Sequence, residues 1–307
     1  MTAPASTKSD AGVAGTGILL AFIITAGLAL VCSSIIIFSE WRAVNVRNIP
    51  RRILSGLSDQ QLIQGIGIQV VGLARVRTMV PYHFFIIWML ALLSTATNFA
   101  ALLALVQDFK RDWVLRWMRQ FAMFINMVLG IVYGIFVLES NVKALAPTLP
   151  IACAWQEHAK SREAQGNQTA SVVGTIAVIA VSCVIFVLGT WYLHMRRQIW
   201  GKSVRAVCLV VLMAMAIAAT VRVILVSQAF GTPSVVLDDA GEQDWSFGQL
   251  LTMLLLVLPF ISALEIYRGE TKVPQATAAG YSDAEQIPLT STEGSGMKAF
   301  QGNSGYT

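Results

Sequence analysis

The run QLIQGIGIQVVGLARVRTMV at residues 61–80 is the segment on which the number of membrane spans depends. It is long enough to cross about 30 Å of hydrocarbon, which takes about 20 mostly apolar residues. It is also the weakest of the candidate segments, because it carries Gln61, Gln64 and Gln69. We predict that it spans the membrane. If it did not, the count would fall by one and the side of every later loop would change.

Six other segments meet the same criterion of length and hydrophobicity. They are residues 15–38, 82–106, 121–140, 171–194, 204–226 and 247–267. The chain is 55% hydrophobic and 13% charged, whereas soluble domains have about 25% charged residues. A soluble protein of this composition would expose large apolar patches. The sequence therefore predicts an all-α, polytopic membrane bundle with seven transmembrane helices, over residues 15–267.

The loops between these segments are alternately rich and poor in arginine and lysine. The richer side holds 14 basic residues, in the first, third and fifth loops and after the last span, and the other side holds six. Basic residues favour the cytosolic side of short loops. We therefore predict that residues 1–14 are a short extracytosolic tail. Residues 268–307, rich in Gly, Ser and Thr, are predicted to be a disordered cytosolic tail.

The basic pI of about 9.2 does not indicate a nucleic-acid partner. The basic residues lie beside apolar segments, where they set orientation and attract lipid headgroups of the bilayer. The first apolar run is too long for a cleavable signal peptide, and its basic cluster follows it. We predict an integral protein of the endoplasmic reticulum, another endomembrane or the plasma membrane. Asn167 begins an Asn-Gln-Thr sequon in a loop assigned to the lumen, so it is a candidate glycosylation site.

Missing motifs exclude several function classes. No lysine lies within a predicted span, which excludes a retinal Schiff base of the microbial-opsin kind. The chain has no Walker loop, no HExxH motif and no DDxxD pair within a span for a magnesium diphosphate. Its cysteines have no metal-binding spacing, and an odd number of spans without an evident repeat argues against an inverted-repeat transporter. We predict neither a metal nor another cofactor.

One helical face of the second predicted span consists of amide and small side chains at spacings of three and four. Its members are Gln61, Gln64, Gly65, Gln69 and Gly72. Ser58 fits the N-cap of this helix, with Gln61 at the matching position of a capping box. Small residues allow close helix approach, and glutamines hydrogen-bond across helices. We favour a packing seam over the alternative, a wall of a substrate site.

Three ionisable residues lie near the predicted extracytosolic ends of spans. His83 would act as a proton relay only with an acidic partner, and Glu139 is the predicted partner. Arg222 lies about one turn below the same end of the sixth span, where an arginine is costly unless it snorkels or pairs. Two interpretations stay open. One is an interfacial histidine with a structural Arg222–Glu139 ion pair, and the other is a catalytic set of Glu139, His83 and Arg222.

Two stretches of the sequence are similar to those of a known protein family: RRILSGLSDQQLIQGIGIQVVGLARV at 51–76 and PYHFFIIWMLALLSTATNFAALLAL at 81–105. They resemble a large family of filamentous-fungal multispanning membrane proteins, which have a Ser-Asp-Gln-Gln-Leu start and a Tyr-His pair. These motifs match residues 58–62 and 82–83, and Asn98 stands where the family has a second histidine. Some similar proteins accompany secondary-metabolite pathways. The resemblance implies a membrane terpene cyclase that acts on prenylated aromatic (meroterpenoid) intermediates.

The first hypothesis is therefore an enzyme, which would close a lipid-soluble isoprenoid-type substrate by acid-initiated carbocation cyclisation, alongside other enzymes of its pathway. Glu139 would be the acid and His83 the relay. The predicted substrate-binding residues lie around them and include aromatic faces that would steer a cation. They are Tyr82, Asn98, Tyr133, Phe136 and Trp245.

The second hypothesis is a heptahelical receptor-like sensor, or a structural membrane protein without catalysis. Seven spans with an extracytosolic N-terminus is receptor topology, and the loop at 110–119 would contact a cytosolic partner. Against it, no acidic-Arg-aromatic triplet closes the third span, and the extracytosolic surface is short for ligand capture. We rank the cyclase first, because the resemblance and the predicted acid–aromatic cluster agree.

Overall fold

The computed structural model describes residues 6–42, 48–111, 113–143, 145–155, 166–194 and 201–272. Within these ranges the regular structure is helical, apart from one isolated bridge between Thr7 and Leu237. Met1–Ile266 form one compact unit. Tyr267–Thr307 form a second unit, of which residues 267–272 are described as the end of the last helix. The predicted all-α class is confirmed for the described part of the chain.

Ten α-helices and one 3-10 helix follow one another along the described residues. They are α1 (Ala11–Ala14), α2 (Thr16–Trp41), α3 (Asn48–Ala74), α4 (Pro81–Ala104), α5 (Val106–Arg111), α6 (Trp113–Val142), the 3-10 helix (Ile151–Trp155), α7 (Gly166–His194), α8 (Gly201–Val226), α9 (Phe247–Leu255) and α10 (Leu258–Lys272). Six helical stretches of the described chain are long and apolar enough to cross a membrane: α1–α2, α4, α6, α7, α8 and α9–α10. They indicate a multi-pass membrane protein. α3 is not among the six, and it carries the glutamines noted above.

α4 lies at the centre of the bundle. It is buried along its apolar length and contacts α2, α3, α6, α7 and α8. It begins at Pro81, one residue before the predicted span, because the first helical turn needs no N–H and suits the fixed φ of proline. Val80 is extended, the conformation that a following proline favours. Functional groups on α4 therefore face other helices.

Glu40 joins several helices at one end of the bundle. Its carboxylate accepts hydrogen bonds from Arg205 (2.7 Å) and Arg51 (3.2 Å). Arg51 also donates to Asp108 in α5 (3.1 Å). We call this the Glu40 end. The opposite end, where α2 and α4 begin and α8 stops, is called the Glu242 end.

α3 runs from one of these ends to the other. Arg51, in its first turn, lies at the Glu40 end, and Arg75, just after its last residue, pairs with Asp10 (2.9 Å) at the Glu242 end. Its 27 residues correspond to about 40 Å of helix. The predicted segment 61–80 is thus only the second half of a helix, followed by a turn that leads to α4.

The predicted capping box at Ser58 and Gln61 is wrong. Ser58 lies in the interior of α3 and is buried (1% exposed). Its hydroxyl donates a hydrogen bond to Asn98 of α4 (2.8 Å) instead of capping a helix. The capping motif and an interhelical contact use the same residue type, so the local pattern did not distinguish them.

The last predicted span is interrupted just before Pro259. α9 ends at Leu255 and α10 starts at Leu258. Proline lacks an N–H and its ring clashes with the preceding turn, which breaks the hydrogen-bond ladder there. At its start, α9 is capped by Ser246, whose hydroxyl accepts from the Gln249 N–H (3.4 Å).

Residues 6–14, the described part of the predicted extracytosolic tail, are folded. The Thr7 N–H donates to the Val236 carbonyl (3.0 Å), and the Asp238 N–H donates to the Thr7 carbonyl (2.8 Å). Asp10 caps α1 by accepting from the Gly12 N–H (3.1 Å). This segment therefore packs on the loop between α8 and α9.

Candidate functional site

Glu242 lies in the loop between α8 and α9 and is completely buried (0% exposed). Its Oε2 accepts a hydrogen bond from the Tyr82 hydroxyl (2.7 Å), and its Oε1 lies 2.8 Å from His83 Nε2. We call these three residues the Glu242 cluster. Tyr82 and His83 are adjacent in the first turn of α4, and each meets one carboxylate oxygen. A buried carboxylate is costly unless it is hydrogen-bonded or paired in this way.

Further hydrogen bonds hold the loop around this cluster. The Glu242 carbonyl accepts from the N–H (3.0 Å) and the hydroxyl (3.1 Å) of Thr16, at the start of α2. The Gln228 N–H donates to the Tyr82 hydroxyl oxygen (2.9 Å), and Gln243 Nε2 donates to the Gln228 carbonyl (3.0 Å). The starts of α2 and α4 and the end of α8 are therefore tied together through one loop.

A polar cavity of about 320 Å³ lies beside the Glu242 cluster. His83 is the member of the cluster that lines it, together with Arg75 and its partner Asp10. In the loop near this cavity, Asp239 accepts a hydrogen bond from the Ser9 N–H (3.3 Å). Hydrogen bonds from Ser9 lower the pKa of Asp239 below its usual value. The cavity is thus lined by charged and hydroxyl side chains.

Glu139 is not the partner of His83. It lies near the end of α6, its side chain is 32% exposed, and it pairs with Lys143 one turn further on (3.4 Å). Arg222 does not pair with Glu139 either, and it lines a separate cavity between α4, α7 and α8. The predicted pairs Glu139–His83 and Glu139–Arg222 are therefore wrong. The catalytic roles assigned to these three residues stay predictions, although the residues lie at three separate places in the structure.

Sequence reasoning missed Glu242 because it lies in a loop with Asp238, Asp239 and Asp244, and loop carboxylates are mostly solvated. Two signals could have indicated it. A histidine that opens a span, here His83, calls for an acidic partner, and this loop is the most acidic one predicted on the same side. What the sequence did not show is which of its carboxylates turns inward.

A second group of buried polar side chains lies between α3, α4 and α6, and we call it the polar seam. It consists of Ser58, Gln69, Ser94, Thr95, Asn98 and Asn126. Asn126 accepts from Gln69 Nε2 (2.9 Å) and donates to Thr95 Oγ1 (3.1 Å). Asn98 accepts from Ser58 (2.8 Å) and donates to Ser94 (3.3 Å). Asn98, a predicted substrate contact, is thus engaged in bonds between helices.

The small residues of the predicted glutamine face allow α3 to approach this seam. A Cβ atom on Gly65 would meet the Ser94 side chain, and one on Gly72 would meet the Tyr133 hydroxyl. That hydroxyl donates to the Gln69 carbonyl (2.7 Å). Close helix packing at small residues explains these contacts. They support the packing interpretation of this face.

The other predicted substrate-binding residues do not surround one space. Tyr82 belongs to the Glu242 cluster. Tyr133 and Phe136 pack on Phe84, with ring centroids 4.1 Å and 5.4 Å away. Trp245 is 52% exposed, just before α9. The aromatic side chains near the Glu242 end are therefore divided between packing contacts and the surface.

A partly open cavity of about 220 Å³ lies between α4, α7 and α8. Each helix lines it with four residues at spacings of three and four, which is one face of each helix. Its hydroxyl and charged groups, Ser171, Thr175 and Arg222, lie towards the Glu242 end. Leu92 and Met215 lie deeper. The cavity is thus polar at one end and apolar at the other.

Within the described residues, no group of three or more His, Cys, Asp or Glu side chains is placed to hold a metal ion. Asn167, the candidate glycosylation site, lies in the first turn of α7, and its side chain is outside the described part of the structure. Comparison of the chain with protein-family models, curated proteins and solved structures finds no match.

Proposed function

We propose that this chain is a receptor-like membrane protein that binds a membrane-soluble ligand between α4, α7 and α8. The single observation that carries the proposal is the cavity there, which is partly open, apolar in depth and polar only near the Glu242 end. Ligand sites are concave, mostly apolar and have a few polar groups that fix orientation, and they commonly lie between the helices of bundles. This is the second of the two hypotheses from the sequence.

A seven-span topology with an extracytosolic N-terminus is part of the proposal. It requires α3 to be a span although it is less apolar than the other six. Its length of about 40 Å exceeds the hydrocarbon thickness of about 30 Å. Its polar side chains Ser58 and Gln69 are buried in the polar seam, which removes the cost of exposing them to lipid. The excess of basic residues in alternate loops supports the orientation.

Membership of the fungal multispanning family, an endomembrane or plasma-membrane location and glycosylation at Asn167 remain proposals. They follow from the sequence motifs alone. A glycosidase-sensitive shift in mobility, lost in Asn167→Gln, is the expected result for a glycosylated chain with this orientation.

The charge of the cavity argues against carbocation chemistry inside it. Its one charged lining residue is Arg222, and its described lining includes no carboxylate. A fixed positive charge repels a developing cation, the more so in a medium of low dielectric constant. Cyclisation in this cavity would also lack an acid to start it.

Ligand binding is tested with a substitution that fills the cavity. Gly174 lines it, and a Cβ atom there would meet no heavy atom within 4 Å. We expect Gly174→Phe to abolish binding of a membrane-soluble probe such as tritiated hexadecanol to the purified protein in nanodiscs. Gly27→Phe is the matched control, since Gly27 of α2 has equally free space and does not line the cavity. Equal binding by both variants and the wild type would contradict the proposal.

A terpene cyclase stays the second candidate, and a specific observation favours it. The Glu242 cluster is a buried carboxyl group with a histidine and a tyrosine in hydrogen-bond reach, and a buried carboxyl group of this kind can act as the acid that starts a cyclisation. A cyclase that uses this acid loses product formation from a prenylated aromatic substrate in microsomes with Glu242→Gln and keeps it with Glu139→Gln. The opposite pattern would support Glu139 as the acid.

A further inference from the structure

Arg222 is the residue that indicates the chemistry of the ligand. It lies four residues before the last residue of α8, about 6 Å below the end of the helix, and it lines the α4/α7/α8 cavity. Within the described part of the chain, it has no acidic partner. An arginine at this depth is costly unless it meets an anion or reaches the headgroups. Its guanidinium therefore favours a ligand with a negative group.

The remaining lining determines what this negative group is attached to. Phe85, Trp88 and Leu92 of α4 lie opposite Val178 of α7 and Met215 of α8. From Phe85 to Leu92 the wall extends about 10 Å along the helix axis. Trp88 carries the one N–H or O–H donor among these side chains, and its indole Nε1 lies near Gly134 of α6. The other side chains of this wall accommodate hydrocarbon.

The size of the cavity limits the ligand further. Its volume of about 220 Å³ is below the roughly 300–1,000 Å³ of sites that enclose drug-sized molecules. Because it is partly open, a narrow ligand can extend beyond it into the surrounding lipid. A single hydrocarbon chain meets these conditions, whereas the paired chains of a phospholipid would need a wider groove.

We propose that the cavity binds a single-chain amphiphile with a carboxylate head, that is, a long-chain fatty acid. The carboxylate lies against Arg222, with the Ser171 hydroxyl beside it, and the chain lies along α4. The Thr175 hydroxyl donates to the Ser171 carbonyl within α7 (2.9 Å). The planar guanidinium group matches a carboxylate with two parallel hydrogen bonds. This inference rests on the proposed function, because it names the ligand class of the same cavity.

The experiment compares two probes that differ only in the head group, palmitate and hexadecanol. Binding is measured with tritiated probes and the full chain in nanodiscs of phosphatidylcholine, at a pH where the carboxylate is ionised. We expect the wild type to bind palmitate about 10-fold more tightly than hexadecanol, because a charge-assisted hydrogen bond contributes at least this factor. Arg222→Gln removes this preference and leaves hexadecanol binding unchanged. Arg77→Gln, which removes another exposed cation at the Glu242 end, leaves both affinities unchanged.

Each other outcome overturns the inference in a distinguishable way. Equal binding of both probes by the wild type and by Arg222→Gln overturns the carboxylate head and leaves the membrane-ligand cavity standing. Binding of neither probe above empty nanodiscs, or binding that Gly174→Phe does not reduce, overturns the cavity and the proposed function as well. Loss of the preference when phosphatidylglycerol is added shows that Arg222 meets bulk lipid headgroups, which also overturns the inference.

Discussion

Polar groups are arranged differently on the two sides of α4. On the side that faces α3 and α6, Asn98 and Ser94 are buried and hydrogen-bonded within the polar seam. On the side that faces α7 and α8, Phe85 and Trp88 line a cavity whose charge, Arg222, comes from another helix and has no acidic partner in the described chain. The first side is built for close packing, and the second leaves space. The difference separates the side of α4 that holds the bundle together from the side that we propose binds a ligand.

The physical basis of this difference lies in the surroundings of the glycines in the neighbouring helices α3 and α7. α3 presents glycines at the points where Ser94 and Tyr133 approach, so the backbones come close and polar side chains find partners. α7 also presents a glycine, Gly174, but no side chain from another helix fills the space in front of it. A small residue therefore produces a tight contact on one side and a cavity on the other.

The largest expected effect on stability comes from replacing a glycine by alanine on the polar-seam side of α4, compared with the same replacement on the cavity side. Gly72→Ala would displace the Tyr133 hydroxyl and break its bond to the Gln69 carbonyl. We expect a loss of about 3 kcal/mol in the free energy of unfolding, from overpacking and a lost hydrogen bond. Gly174→Ala is the matched control and is expected to be neutral or slightly stabilising, since alanine is the better helix former. Titration with SDS in mixed micelles measures the free energy of unfolding of both variants. Equal losses in the two variants would contradict the proposed difference between the two sides of α4.

An intermediate effect is expected from removing one polar partner on each side. Asn126→Leu leaves the Gln69 amide and the Thr95 hydroxyl without their shared partner, which we expect to cost about 1–2 kcal/mol of unfolding free energy. Ser171→Ala, on the cavity side, is expected to change the same quantity by less than about 0.5 kcal/mol. If Asn126→Leu were neutral, the polar seam would be a weak element of the fold.

The smallest effect on stability is expected from Arg222→Gln. Because Arg222 is exposed and has no acidic partner among the described residues, the substitution breaks no ion pair of the protein. We expect the melting temperature of the ligand-free protein to stay within about 2 °C of the wild type, as for a surface change of less than about 0.5 kcal/mol. A large drop in melting temperature would mean that Arg222 holds the bundle together and is not a ligand group.

The candidate sites could be predicted from the sequence only in part. His83 and Tyr82 were recognisable, because a polar pair at the start of an apolar helix is unusual. Their partner was not, because Glu242 is 159 residues from His83, and no periodicity relates the two. Arg222 was recognised as a costly charge near the end of a predicted span, and the alternative in which it pairs with Glu139 was wrong. Both errors concern pairs of residues on different helices.

The sequence alone determined the features that depend on neighbours along the chain. Length and hydropathy located the apolar helices. Proline, whose ring fixes φ and which lacks an N–H, accounts for the start of α4 at Pro81 and the interruption before Pro259. Only the tertiary structure decided which polar groups meet: Ser58 with Asn98, and Glu242 with His83. The physical reason is that helix periodicity specifies which side of a helix is polar. The partner on another helix depends on how closely the backbones approach, and this is set by packing over the whole bundle.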